Sequence, residues 1–307
     1  MILSVCPNPS VDVFVWIDAI HPGKVNRATL EDHFPGGKGV HVALACAEMG
    51  EEVTIMGCWG GPTGEWIKHE CLRKGIQSTG IEVPEWSRIC QSFKSEGEFD
   101  ETEILGVGPA ITSQQQDEFI VRFRQLLPAF SSVSMSGSWP QGSSPDVYAR
   151  LIQLCQQHKL PVFLDCSGRE LELALKVRPY AVHVNSTEAG ALFGRSAPEI
   201  LAAELAGHCS LAAITVGVEG LYLTDGKEMV HGKVDVEHCF SAVGSGDCLM
   251  AGLMIATQEK LDLHDSARMG VACGAANCLS RELGILRKTD VDALYPRVKV
   301  KPMKLRK

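Results

Sequence analysis

From Ser113 onward the chain keeps one rhythm, and that rhythm limits its fold more than any other feature. The amphipathic stretch "SQQQDEFIVRFRQLLPAF" gives way to the short apolar "SVSMSG", and "SPDVYARLIQLCQQH" gives way to "PVFLDCSG". "AVHVN", a helix from Ser186 and "LAAITVG" follow. Helices alternating with strands produce a parallel sheet covered by helices on both faces. Ligands of such sheets bind at the C-terminal ends of the strands. "GSW" after Met135, "DCSG", Asn185, "TVG" and "GSGD" all fall at such ends or in the loops beyond them.

The earlier part of the chain is more mixed. "MILSV" reads as a buried strand, and Val11–Ile17 as a strand with one open face. "GVHVALACAEMG" reads as a helix, "EVTIMGCWG" as a strand, and "PTGEWIKHECLRKG" as an amphipathic helix stopped by Gly75. Residues 79–107 offer only short β-like pieces, "TGIEVPE", "RICQSFKS" and "ETEILGV". We therefore expect one domain over residues 1–307: a three-layer α/β/α core with a mostly parallel central sheet. A small β-sheet lid, built from about residues 10–35 and 79–107, would cover the ligand edge and exclude water.

Composition excludes several classes of function. A net charge of −8 speaks against nucleic acid or an anionic membrane as partner. The basic C-terminus "VKVKPMKLRK" reads as a solvated tail. No apolar run approaches the ~20 residues of a membrane span, and "MILSVC" lacks the basic region of a signal peptide. The twelve cysteines never form C-x-x-C, and Cys46, Cys166 and Cys248 lie in apolar runs. That usage fits reduced, buried thiols in a cytoplasmic protein.

The signatures of triphosphate loops, dinucleotide folds, zinc proteases and serine hydrolases are all absent. What remains is "FSAVGSGDCLMAGLM", in which Gly244, Ser245 and Gly246 lead into Asp247 and then into an apolar helix. Backbone N–H groups at a helix start are unpaired and partly positive. With small residues there, a phosphate can approach the chain, while the carboxylate takes a proton from a hydroxyl. Such a pairing makes a phosphoryl-transfer site; the alternative is that Asp247 only caps the helix. A second cluster is "FPGGKGVHVALA", where Gly36, Gly37 and Gly39 would let the chain pass close to a ligand and Lys38 would meet an anion or only water. In "NPSVD", Asp12 would accept hydrogen bonds from sugar hydroxyls or organise a turn.

"PGGKGVHVA" early and "AVGSGDCLMAG" late together resemble the PfkB family of carbohydrate kinases, with the ribokinase-like fold. "VNRA", "TEILGVGP", "SGSWPQG", "LDCSG", "NSTE" and "TVGVEG" extend the resemblance to the branch that phosphorylates sugar phosphates. The resemblance implies an ATP- and Mg²⁺-dependent kinase of a ketohexose phosphate, tagatose 6-phosphate or fructose 1-phosphate. It makes Asp247 the base and the amides of Gly244, Ser245 and Gly246 the anion hole. Asp12, Gly37 and Lys38 become sugar-side residues, and Arg27 and Arg88 hold the substrate's phosphate. Asn185 and Glu188 stand near Mg²⁺, Glu188 through water. Thr215, Gly217 and Gly220 edge the nucleotide, and Asn277 lies near adenine. A homodimer paired through the lid is implied as well.

The chain departs from the family pattern at several places. His41 replaces the asparagine of "GGKGIN", His183 and Val184 replace the lysine and proline of "IKPN", and Trp139 replaces the leucine of "GSLPxG". We expect His41 to face the sugar pocket and to titrate between about pH 6 and 8. Rival readings are a kinase of an unphosphorylated sugar or nucleoside, and a catalytically silent binding regulator; intact Asp247 speaks against the second.

Overall fold

In the computed structural model, which describes residues 1–305, strand β1 (Ile2–Cys6) starts the central sheet and hands the chain to a separate small one. β2 (Ser10–Trp16) and β3 (Leu30–Gly36) lie there, after which helix α1 (Lys38–Glu48) returns to the core. β4 (Val53–Gly60), α2 (Gly61–Arg73) and β5 (Gln77–Val83) extend the central sheet. β6 (Arg88–Lys94) and β7 (Thr102–Leu105) complete the small one. The rhythm then runs α3 (Ser113–Leu126), β8 (Ser132–Ser136), α4 (Val147–Gln157), β9 (Val162–Asp165), α5 (Gly168–Leu175), β10 (Ala181–Asn185), α6 (Ser186–Phe193), α7 (Pro198–Ala206) and β11 (Leu211–Thr215). β12 (Leu221–Thr224), β13 (Met229–Lys233), α8 (Ser245–Gln258), α9 (Leu263–Cys278), α10 (Lys288–Leu294) and β14 (Lys299–Met303) close the chain.

The large sheet has the order β14-β13-β12-β11-β10-β9-β8-β1-β4-β5, parallel from β11 to β5 and antiparallel beyond β11. Its strands are buried on both faces, which is why "MILSV" and "AVHVN" read as apolar runs rather than alternations. Ile2 and Cys6 pack toward α1, α2, α8, α9 and α10, while Leu3 and Val5 pack toward the layer of α3 to α7. The small sheet has the order β3-β2-β6-β7, with β2 and β6 parallel and Asp12 opposite Cys90.

Two expectations need correction. Thr79–Val83, assigned to the small sheet, lies in β5 and pairs in parallel with β4 at the edge of the large one. A crossover through α2 delivers the chain beside β4, so the small sheet takes its third strand only from Arg88. The basic C-terminus is no solvated tail: Lys299–Met303 pairs with β13, while Val298 is buried and Val300 packs on the core. Lys299 and Lys301 face outward and Pro302 lies on the open edge, as suits a strand that must not recruit another. The end of that tail, residues 306–307, lies outside the described residues. Trp139, at the place of the pattern's leucine, is buried edge-on against Phe119 and Tyr148. Cys46, Cys166 and Cys248 are buried and free, as their apolar surroundings predict.

Candidate active site

α8 begins where the sheet's parallel strands end. Gly244 is its N-cap in the left-handed region, with φ 84°, and no room exists for a side chain there. A Cβ on Gly244 would lie 2.3 Å from the Cα of Gly284, and one on Gly246 would lie 2.8 Å from Cε1 of His183. The glycines therefore let the helix start settle between two other segments. Asp247, on the first turn, is buried. The amide of Ser245, expected in an anion hole, donates to the carbonyl of Ala242 at 3.1 Å. An anion would meet the N–H groups that follow it, Gly246 and Asp247, at the positive end of the helix.

On one side of this start stands His41, in the second turn of α1. Its Nδ1 lies 3.0 Å from Oδ2 of Asp247. Its Nε2 lies 3.0 Å from Oδ2 of Asp12, an ion-pair contact off the line of a hydrogen bond. Burial opposes a charge on the ring, but the two carboxylates outweigh it and push the imidazole up to about 10. The two carboxylates thus move the ring away from the expected titration between pH 6 and 8, toward its charged form. Asp12 is buried too, yet His41, Ser10 and Arg88 hold its carboxyl below the usual range. Ser10 Oγ donates to its Oδ1 at 2.6 Å. Burial pushes Asp247 above the ordinary carboxylate, with His41 pulling the other way.

On the other side Lys38 opens α1 and reaches Asp165 at the end of β9, Nζ to Oδ1 2.5 Å, with Oε1 of Glu188 3.9 Å away. Burial resists the lysine's charge, but Asp165, Asp247 and Glu188 keep it firmly cationic. Burial likewise works against the Asp165 carboxylate, and Lys38 and His183 overcome it, so its carboxyl is held far below the usual range. His183 lies between Asp165 Oδ2 and Thr215 Oγ1, at 2.6 and 3.0 Å. Asp165 was not among the expected site residues. A carboxylate ending the apolar run "PVFLD" at a C-terminal strand edge was the signal for it.

The other expected residues fall in different places. Asn185 and Glu188 form a capping box on α6: Asn185 Oδ1 accepts from the Thr187 and Glu188 amides, and Glu188 Oε2 accepts from the Asn185 amide. Oε1 of Glu188 is left toward Lys38. Among the described residues no three His, Cys, Asp or Glu side chains are arranged to hold a metal ion. Gly217 opens a short turn after β11, and Gly220 touches the Gly232 carbonyl where a Cβ would be 2.2 Å away. Asn277, expected beside adenine, is buried and donates to Val243 O and Ser245 Oγ at 2.9 and 3.0 Å, so it braces the glycine loop. Arg88 is half-buried and donates to the Asn8 carbonyl at 3.2 Å. Arg27 lies in the exposed connection between β2 and β3. The glycines of "PGGKG" make room for the chain itself. A Cβ on Gly36 would fall 2.1 Å from the Asp12 carboxyl carbon, one on Gly37 3.1 Å from Cys6 Sγ, and one on Gly39 2.7 Å from the Val5 carbonyl.

Comparison with known proteins places this arrangement. The pattern of the pfkB family carbohydrate kinases matches residues 9–289. The 1-phosphofructokinase of Bacillus subtilis is 30% identical over 306 residues, covering 98% of this chain and 99% of that protein. Among solved structures, phosphofructokinase-2 from Escherichia coli with substrates and products superposes with a TM-score of 0.86 at 24% identity, covering 96% of this chain and 98% of that one. A structure described as possible 1-phosphofructokinase from Thermotoga maritima gives 0.90 at 22%, covering 99% and 100%. At these identities the two structures speak to the fold.

Proposed function

Given that the chain belongs to the pfkB family of carbohydrate kinases and is an ATP-dependent sugar-phosphate kinase, we propose that its acceptor is a ketohexose phosphate, fructose 1-phosphate before tagatose 6-phosphate, and that Asp247 is its base. The observation that carries the base is the placement of a buried carboxylate on the first turn of α8, where the glycines of the helix start pack closely against Gly284 and His183. The relative from Bacillus subtilis favours fructose 1-phosphate.

In this reading a sugar hydroxyl approaches Asp247 and the γ-phosphoryl group approaches the N–H groups of Gly246 and Asp247. The hydroxyl oxygen bonds to γ-phosphorus, the bond to the β–γ bridging oxygen breaks, and the hydroxyl proton passes to Asp247. Lys38 and the helix start supply positive charge where the transferring group carries its negative charge. Asp12 receives sugar hydroxyls, while Arg88, with Arg27 from its loop, meets the substrate's own phosphate. Thr215, Gly217 and Gly220 border the nucleotide. Mg²⁺ keeps most of its waters in kinase sites, so a single free carboxylate oxygen, Oε1 of Glu188, suits an outer-shell place better than direct ligation. Bound there, the ion would neutralise charge on the phosphates.

The small sheet leaves Leu30, Ile89, Ile104 and Leu105 exposed, which supports pairing of two copies through these strands. No helix among the described residues is long and apolar enough to cross a membrane, and twelve unpaired cysteines favour the cytoplasm. The test is ADP release with Mg-ATP across a panel of sugars and sugar phosphates. We expect fructose 1-phosphate to give the highest kcat/KM; an unphosphorylated sugar doing better would overturn the acceptor assignment.

A further inference from the structure

The His41 side chain touches both the small sheet and the start of α8. Its ring joins Asp12, on β2, to Asp247, on α8, each contact at 3.0 Å. Two buried carboxylates flanking a neutral imidazole would face each other with no compensating charge, whereas an imidazolium bonds Asp247 and makes an ion-pair contact with Asp12. The ring has no freedom to leave. Its face lies on Gly284, where a Cβ would come within 2.1 Å of Cγ and Cδ2, and a Cβ on Gly244 would come within 3.4 Å of Nδ1. Asp12 is equally fixed, by Ser10 and by the bare Gly36 against its carboxyl group.

Resting on the reading of Asp247 as base, we propose that His41 is a positioning residue: an imidazolium bridge that keeps the Asp247 carboxylate ionised and aimed, and ties the small sheet to the catalytic helix. Asparagine at this place could donate to one carboxylate but carries no charge. The bridge is therefore a property of this chain's own departure from the pattern.

The charges around the ring are all accounted for. β2 brings Asp12 and α8 brings Asp247, while Arg88 of β6 acts on Asp12 from behind. Lys38, one turn back on α1, and Asp165, on β9, act on Asp247 from the far side. Cys6 of β1 is kept neutral by burial, which pushes its thiol up to about 11. The Gly284 segment brings no charge to the ring.

The bridge has a signed consequence for the pH profile. A base works only when ionised, so kcat/KM falls as pH drops through the pKa of Asp247. An opposite charge within ~4–6 Å lowers a carboxyl pKa by roughly 1–3 units. Hence His41→Asn should move the acid limb upward by roughly 1–3 pH units, whatever it does to the plateau. A purely structural role would lower the plateau and leave the limb in place. Nitrogen-15 spectra of histidine-labelled protein give a readout independent of turnover. At pH 8 one imidazole should carry protons on both nitrogens, and His41→Asn should remove that signal.

An unmoved acid limb, or a wild-type spectrum with no doubly protonated imidazole at pH 8, overturns the bridge. Should His41→Asn fail to fold, the wild-type spectrum still decides. If Asp247→Asn keeps more than a tenth of wild-type turnover, it is the base reading that fails, and the spectrum then judges the bridge alone.

Discussion

Two histidines flank the start of α8, and they are held in different ways. His41 stands between two carboxylates, Asp12 and Asp247. His183 stands between one carboxylate, Asp165, and a hydroxyl, Thr215, and its carboxylate already has a lysine, Lys38, at 2.5 Å. On the His41 side the ring is the cation the carboxylates need; on the His183 side the cation is Lys38. The contrast teaches that counting neighbouring carboxylates and subtracting other cations says more about a buried histidine than its burial does. In the proposed mechanism the two sides would do separate work: the His41 side would hold the base, and the Lys38 side would offer positive charge to phosphate.

The largest expected effect comes from removing the base. Asp247→Asn should cut kcat by about 10²–10⁴ with KM little changed, because a general base acts in the transition state. The amide still accepts from His41 but leaves the ring one carboxylate, as on the His183 side. Steady-state kinetics on the folded variant decide it, and turnover above a tenth of wild type would erase the functional difference between the two sides.

A middling effect, on stability, is expected from Lys38→Met, which takes the lysine from Asp165. The carboxyl is depressed in the folded protein, so its contribution is present above the ordinary Asp value of 3.8 and is lost as pH falls through the folded value. The variant should be less stable at pH 7 by about 1–3 kcal/mol, with the gap narrowing in acid. Denaturant melts at pH 7 and at about pH 2.5, well below the ordinary Asp value, measure this. An equal gap at both would mean that Lys38 contributes packing and not charge.

The smallest effect on catalysis is expected from Trp139→Leu, the residue usual in the family pattern. Trp139 packs on Phe119 and Tyr148, away from both histidines. KM for sugar phosphate and for ATP should stay within about twofold, while the emptied core costs about 1–3 kcal/mol of stability. A KM shift of tenfold would bring Trp139 into the pocket.

The alternation of helix and strand was legible because each period is local and each strand is buried on both faces. "GSGD" was legible because small residues before a carboxylate at a helix start have few uses. The rest depended on distances between remote segments. Nothing near His41 in sequence announces Asp12 or Asp247, and the ring's charge follows only once both are seen beside it. Asn277 read as a nucleotide residue through the family resemblance, and its bonds to Val243 and Ser245 came into view only with the fold. The C-terminal lysines read as a tail because charge outweighs the valines between them. Paired with β13, the same alternation is an edge strand.

The contact between His41 and Gly284 carries a consequence for the evolution of this pocket. The ring occupies the volume that any side chain at 284 would claim, and the positive φ of 66° there narrows the choice further. Space at the two positions is thus a shared quantity. Lineages that hold the bulk at 41 must keep 284 bare, and those with a smaller residue at 41 are released from that demand. The two positions, far apart in the chain, should covary among homologues, and that paired signature would mark which relatives have adopted the same solution.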